Sequence, residues 1–244
     1  MLRRCLVLAL MSSCWALPMR AAYAQTRAVV ELFTSQGCSS CPPADKLIGE
    51  LARDPSLVVM SIPIDYWDYL GWKDTLASPR NTARQKAYAR ARGDGQVYTP
   101  QAVVNGSIHA LGSDKAAIEQ AIAKTRKNGG MSSAPLMVGV RDGSISIALP
   151  ETEGAAGAEA WLCGLTRSAT IAIGRGENKG RSVTYHNVAR RWVKLGDWSG
   201  PGRTFSVPAQ TLAGDEIDEA AVLVQRGSPE RPQTILGAAF AALH

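Results

Sequence analysis

The feature that most constrains this chain is a pair of cysteines, Cys38 and Cys41, separated by two serines. An apolar run at residues 27–34 precedes the pair and predicts a buried strand, and residues 42–52 have apolar side chains at helical spacing. A helix that begins beside the pair directs the positive end of its dipole at the first sulfur, which favours a thiolate. We therefore expect Cys38 to attack a disulfide and Cys41 to resolve the mixed disulfide.

Other uses of the cysteine pair remain open. Structural zinc sites need four ligands, and the chain has no second pair of this spacing and only three histidines, so no resident metal or cofactor is predicted. An inert disulfide that closes a turn is one alternative, although so short a loop adds little stability. Two thiolates also suit a soft ion such as Cu(I), so a copper-handling protein is a second alternative. A redox-silent module that binds another envelope protein is a third.

The N-terminus has the features of an export signal. Arg3 and Arg4 precede an apolar run at residues 5–11, and residues 22–24 have the small-x-small pattern of a cleavage site. These features predict a signal peptide over residues 1–24 and a periplasmic mature protein. The apolar run is too short to span a bilayer, so no stable membrane insertion is expected. Cleavage lowers the net charge from +6 to +3, since it removes three arginines and no acid, and this charge is too small to predict binding to nucleic acid.

The rest of the chain divides into two regions of different pattern. Residues 28–127 alternate strand-like and helical segments, which predicts an α/β domain with a mostly parallel sheet over residues 25–128. A glycine- and serine-rich linker is predicted at residues 128–133. Short alternating strands follow it, which predicts an all-β, sandwich-like domain over residues 134–244. Cys163 lies in one of these strands and is expected to be a core thiol.

A Thr-Pro step, Thr99 and Pro100, leads directly into an apolar strand. Together with the cysteine pair it resembles the thioredoxin superfamily. The resemblance implies that the first domain is a thioredoxin-like α/β domain. It also implies that Pro100 is a cis proline beside the active-site disulfide, where Thr99 and Pro100 shape the groove that binds substrate. A trans proline at the start of a strand is the alternative.

Glu31 interrupts the apolar run before the cysteines. Burial of an unpaired carboxylate there would cost free energy and raise its pKa. Thioredoxins carry a buried acid six residues before the first cysteine, and here the spacing is seven. The resemblance implies that Glu31 accepts a proton from Cys41. A structural, hydrogen-bonded glutamate is the alternative.

An aromatic segment at residues 65–74 follows the second predicted strand, at the end of the sheet where such folds place their sites. Tyr66 and Trp67 of this segment are therefore predicted to contact substrate. A small core beneath a long loop is the alternative use of these rings.

Two longer segments resemble the secreted bacterial family catalogued as domain of unknown function 1223: residues 30–45, VELFTSQGCSSCPPAD, and residues 65–74, DYWDYLGWKD. The resemblance continues at residues 175–178 and 186–188, and it implies no physiological substrate. The leading hypothesis is an exported thiol-disulfide oxidoreductase whose partner is the disulfide or thiol of a protein or small molecule.

Overall fold

The structure is a computed structural model that describes residues 26–127, 136–214 and 216–243. The predicted signal peptide and linker lie outside the described residues. The α-helices are α1 (Pro42–Leu51), α2 (Pro79–Arg92) and α3 (Lys115–Lys127). The strands are β1 (Ala28–Thr34), β2 (Leu57–Pro63), β3 (Gln101–Val104), β4 (Ile108–Leu111), β5 (Met137–Arg141), β6 (Ser144–Leu149), β7 (Ala158–Ala172), β8 (Ser182–Trp198), β9 (Arg203–Pro208), β10 (Glu219–Ser228) and β11 (Arg231–Ala242). No helix in the described ranges is both long enough and apolar enough to cross a membrane.

One mixed sheet of eight strands organises the molecule, in the order β11-β10-β7-β8-β2-β1-β3-β4. The β1–β2 and β2–β8 pairs are parallel, and the other neighbours are antiparallel. The junction between the two halves of the chain is the pairing of Ser61 in β2 with Val188 in β8. The Asn187 side chain reinforces this junction, because its amide donates to the carbonyl oxygen of Val59 at 2.9 Å. Strands β5, β6 and β9 form a second sheet.

The predicted fold class, a thioredoxin-like α/β domain followed by an all-β sandwich-like domain, is wrong. Four strands from the second half of the chain, β7, β8, β10 and β11, extend the sheet of the first half, so no separate sandwich forms. The described chain is mostly β, with three α-helices. Local alternation of apolar and polar residues predicts that a strand exists but not which distant strand it pairs with, and this is why the prediction failed.

The two faces of β1 pack against different helices. Val30 and Leu32 pack with α1 and α3, whereas Val29 and Phe33 pack with Tyr88 of α2. This separation follows from the two-residue period of a strand, which sends successive side chains to opposite faces. The core beneath α2 also contains residues of β10, so a single core joins the two halves. A further core lies between the three-stranded sheet and the outer strands of the large sheet.

A buried ion pair holds α2 on the sheet. Glu31 is fully buried, and Arg84 contacts its two carboxylate oxygens at 2.6 and 3.1 Å. The Tyr88 hydroxyl donates to Glu31 at 2.5 Å. Arg84 also donates to the side-chain oxygen of Gln225 in β10 at 3.0 Å. The pair with its hydrogen bonds therefore links β1, α2 and β10, and each charge has the partners that burial requires.

Replacing Arg84 tests this link. Arg84→Met leaves the Glu31 carboxylate buried without its cation, so we expect the free energy of unfolding to fall by about 3–5 kcal/mol. Lys86→Met, at an exposed position of the same helix, is the control and should change it by less than about 0.5 kcal/mol. Urea unfolding followed by circular dichroism measures both. Equal effects of the two substitutions would contradict the assignment.

Candidate active site

Cys38 and Cys41 form a disulfide in the loop between β1 and α1. Cys41 is the N-cap residue of α1 and is fully buried, whereas Cys38 keeps 4% of its surface exposed. The first two helical residues, Pro42 and Pro43, have no N–H group to offer to a sulfur. The pair is thus asymmetric, because Cys38 keeps a small exposed fraction and Cys41 keeps none.

The surface around Cys38 is built by three predicted site residues. The Ser40 hydroxyl lies 3.4 Å from the Cys38 sulfur and donates to the carbonyl oxygen of Thr99 at 3.5 Å. The Thr99–Pro100 peptide bond is cis. The indole N–H of Trp67 donates to the Thr99 hydroxyl at 2.8 Å. The structure therefore brings Thr99, Pro100 and Trp67 together beside the cysteine loop.

The aromatic segment forms one edge of this site. Gly37 has no side chain, and a Cβ there would lie 3.0 Å from the Cβ of Trp67, so the segment packs directly against the residue before Cys38. Tyr69 is 76% exposed, and its ring stacks on Trp67 with the centroids 6.2 Å apart. Tyr66 is half-buried and packs, like Trp67, against the core beneath α2. Trp67 and Tyr69 thus present aromatic surface beside the disulfide.

The structure does not bring Glu31 to the cysteines. Glu31 shares a face of β1 with Val29 and Phe33, and its partners are on α2. Helix α1, which begins after Cys41, packs on the other face of β1. The strand period therefore directs the Glu31 carboxylate away from the helix that follows the cysteines.

Asp45 is the buried acid on the cysteine side of the sheet. It lies one helical turn after Cys41, and its backbone N–H donates to the Cys41 carbonyl at 3.1 Å. The Thr34 hydroxyl donates to Oδ1 at 2.7 Å, and the buried Oδ2 has no hydrogen-bond partner among the described residues. Burial raises the pKa of this carboxyl to about 8. Sequence analysis missed it because an acid in the first turn of a helix is common at the surface. Its position on the apolar face, beside Ala44 and Ile48, was the available signal.

A second buried carboxylate supports the cysteine loop. Asp74 accepts the backbone N–H of Gln36 at 2.8 Å, and burial raises its pKa to about 6. The Trp72 indole donates to the side-chain oxygen of Gln36 at 2.8 Å. Tyr185 of β8 lies near both acids, and burial together with the charges of Asp45 and Asp74 raises its pKa. A cluster of buried acids and one phenol thus lies behind the disulfide.

A loop from the second half of the chain completes the site. Asn178, in the turn between β7 and β8, is 1% exposed, and its side-chain amide donates to the carbonyls of Gln36 and Cys38 at 2.9 and 2.8 Å. Asn178 is 140 residues from Cys38. The family resemblance alone singles out residues 175–178 in the sequence. No local pattern predicts that they contact the cysteine loop.

The remaining thiol, Cys163, lies in the core beneath α2. Cys163 is free and fully buried, and burial raises the pKa of its thiol. Within the described ranges no three His, Cys, Asp or Glu side chains lie close enough together to hold a metal ion.

Comparison with known proteins places the chain in a family. A model of proteins of unknown function, DUF1223, matches residues 29–225. The chain belongs to this family. The resemblance of residues 30–45 and 65–74 to DUF1223 is thereby confirmed. No curated protein matches the chain.

Two solved structures resemble this DUF1223 protein. A crystal structure of an Agrobacterium tumefaciens protein shares 32% sequence identity, with a TM-score of 0.80, over 90% of this chain and 96% of that one. HBP35 of Porphyromonas gingivalis shares 13% identity, with a TM-score of 0.59, over 90% of this chain and 76% of that one. The second similarity shows a related fold alone.

The raised pKa of Asp45 predicts how the stability of this DUF1223 protein depends on pH. The folded protein holds the Asp45 proton up to about pH 8, whereas an aspartate in the unfolded chain loses it near pH 4. The stability that protonated Asp45 contributes is therefore complete below about pH 4 and is lost as the pH rises to 8. Asp45→Asn should flatten the plot of unfolding free energy against pH over this range, as measured by urea unfolding of the oxidised protein.

Glu50→Gln is the matched control, because Glu50 is exposed on the same helix. Asp74 remains in both variants and contributes its own decline up to about pH 6. The assignment fails if Asp45→Asn and wild type lose stability equally between pH 6 and 8.

Proposed function

We propose that the protein is an exported thiol-disulfide oxidoreductase that acts on the disulfide or thiol of a protein or small molecule. The observation that carries the proposal is the asymmetry of the cysteine pair. Cys38 keeps 4% of its surface exposed and its sulfur lies 3.4 Å from the Ser40 hydroxyl, which donates to the carbonyl oxygen of Thr99, whereas Cys41 is fully buried. We therefore assign the attack on the substrate to Cys38. The signal features of residues 1–24 support the export part of the proposal.

In the first step the Cys38 thiolate attacks one sulfur of a substrate disulfide. A bond forms between the Cys38 sulfur and that sulfur, and the other substrate sulfur leaves as a thiolate. The dipole of α1 favours the attacking thiolate. Pro42 and Pro43 supply no N–H groups, so we assign the donor role to the Ser40 hydroxyl, which would turn from the Thr99 carbonyl to the Cys38 thiolate when the pair is reduced.

In the second step Cys41 resolves the mixed disulfide. In the molecules in which Asp45 is ionised, a fraction that grows as the pH rises towards 8, the Cys41 thiol gives its proton to the Asp45 carboxylate. The Cys41 thiolate then attacks the Cys38 sulfur, and the substrate sulfur leaves as a thiolate. The substrate is reduced, and the cysteine pair is oxidised to its disulfide. The reverse sequence oxidises a substrate dithiol. An acid with a pKa of about 8 is closer to the pKa of a thiol than an ordinary aspartate is, so the transfer of the proton costs less free energy.

We assign this proton transfer to Asp45 instead of Glu31. Asp45 follows Cys41 by four residues in α1, a spacing that places two side chains on the same face of a helix. Its unpaired Oδ2 is free to accept a proton. Glu31 is held by Arg84 on the opposite face of the sheet.

The substrate surface combines backbone and aromatic contacts. Thr99 is half-buried at the edge of the site, and its hydroxyl fixes the orientation of the Trp67 indole. The stacked rings of Trp67 and Tyr69 offer apolar area for a substrate segment next to Cys38.

Thiol-disulfide exchange itself is the first test. The purified protein should accelerate the reduction of insulin by dithiothreitol, Cys38→Ser should return the rate to the uncatalysed background, and Cys163→Ser should leave it unchanged. Reduced Cys41→Ser mixed with oxidised glutathione should release one glutathione thiolate and accumulate the mixed disulfide of Cys38 with glutathione, detected by mass spectrometry, because no second thiol remains to resolve it. Equal insulin reduction by wild type and Cys38→Ser would refute the proposed activity.

The role of Ser40 gives a second test. In the reduced protein Ser40→Ala should raise the pKa of the Cys38 thiol by about one unit, since the thiolate loses a hydrogen-bond donor. Ser39→Ala, at the neighbouring exposed position, is the control and should leave that pKa unchanged. The ultraviolet absorbance of the thiolate during a pH titration measures it. The same shift in both variants would exclude a specific Ser40 interaction.

A further inference from the structure

A cavity of about 160 Å³ lies apart from the cysteine loop, between α2 and the strands of the second half. Its wall contains three arginines of α2 and one of β10, together with a tryptophan from each of β7 and β8: Arg80, Arg84, Arg90, Arg226, Trp161 and Trp192. We call this feature the arginine-tryptophan pocket. The residues of the cysteine site do not line it.

The pocket carries an excess of positive charge. The charge of Arg84 is compensated by Glu31, and that of Glu159 in the wall by Lys194 at 2.6 Å. Three further positive charges line the pocket, those of Arg80, Arg90 and Arg226. One further carboxylate in the lining, that of Glu230, opposes them. The side chain of Arg90 makes no hydrogen bond or close ion pair with the described residues, although its charge contributes to the lowering of the pKa of Glu230. The pocket therefore attracts anions.

The tryptophans hold two of the guanidinium groups in place. Arg80 lies 5.5 Å from the centre of the Trp161 ring, and Arg84 lies 4.7 Å from that of Trp192. Arg80 also donates to the backbone oxygen of Trp192 at 2.9 Å. A guanidinium that stacks on an aromatic ring keeps its in-plane N–H groups for a carboxylate. The indole N–H of Trp192 is buried and has no acceptor among the described residues, so the wall also holds an unpaired donor.

We propose that the arginine-tryptophan pocket binds a small aromatic carboxylate. Its volume matches one ring, since a cavity of about 150 Å³ holds benzene. The ring would pack against the indoles, and the carboxylate would accept hydrogen bonds from the uncompensated arginines. A neutral ligand of the same shape leaves these cations unpaired, so the pocket discriminates by charge.

Benzoate is the probe, and benzamide is its neutral counterpart of the same shape. In calorimetric or saturation-transfer NMR titrations of the purified protein we expect benzoate to bind with a dissociation constant of about 1 mM, which is ordinary for a ligand of this size. Benzamide should bind at least about tenfold more weakly. Added salt should weaken the binding of benzoate but not that of benzamide. Reduction of the disulfide should leave the affinity unchanged, which separates this site from the proposed exchange activity.

Arg90→Gln should weaken benzoate binding by about tenfold, because Arg90 is the exposed arginine of the wall whose side chain makes no hydrogen bond or close ion pair with the described residues. Arg126→Gln, at an exposed position of α3, is the matched control and should have no effect. The proposal is overturned if benzoate fails to bind at several millimolar. It is equally overturned if benzamide binds as tightly or if the two variants behave alike.

Discussion

The pairing of the buried Glu31 carboxylate with Arg84 is the constraint on which the arrangement of this molecule depends. A carboxylate in the middle of a central strand is tolerable only if a cation reaches it, and the cation comes from α2. The same guanidinium contacts Gln225 of β10 and the ring of Trp192 in β8. One ion pair thus fixes α2 between the first strands of the chain and the last, and it forms part of the wall of the arginine-tryptophan pocket.

The cysteine site depends equally on the union of the two halves. Strand β8 lies beside β2, and the turn that precedes it carries Asn178 to the carbonyl of Cys38. Tyr185 of the same strand lies close to the acids behind the disulfide. The loop that contains the proposed nucleophile is therefore held by residues from both halves of the chain. Each face of β1 has its own buried acid, Glu31 with a structural partner and Asp45 with a free oxygen.

Local features of this protein were predictable from sequence, and long-range pairings were not. The spacing of Cys38 and Cys41 and the apolar periodicity of α1 both act within a few residues. The fold class failed because β7 and β8 join the first sheet through contacts such as that of Ser61 with Val188, which no local pattern encodes. The contact of Asn178 with Cys38 was unpredictable for the same reason, because it joins residues 140 positions apart. Asp45 was missed because its burial comes from tertiary packing, which an ordinary helical position does not reveal.

The reduction potential of the Cys38–Cys41 pair tests the central claim, that this disulfide is a working redox couple, most directly. The protein is equilibrated with a series of thiol-disulfide buffers, and the oxidised fraction is read by mass spectrometry after the free thiols are alkylated. The account predicts a potential above about −300 mV, in the range of catalytic disulfides. A potential below that value is typical of structural disulfides and would show that the pair has a structural role without redox activity.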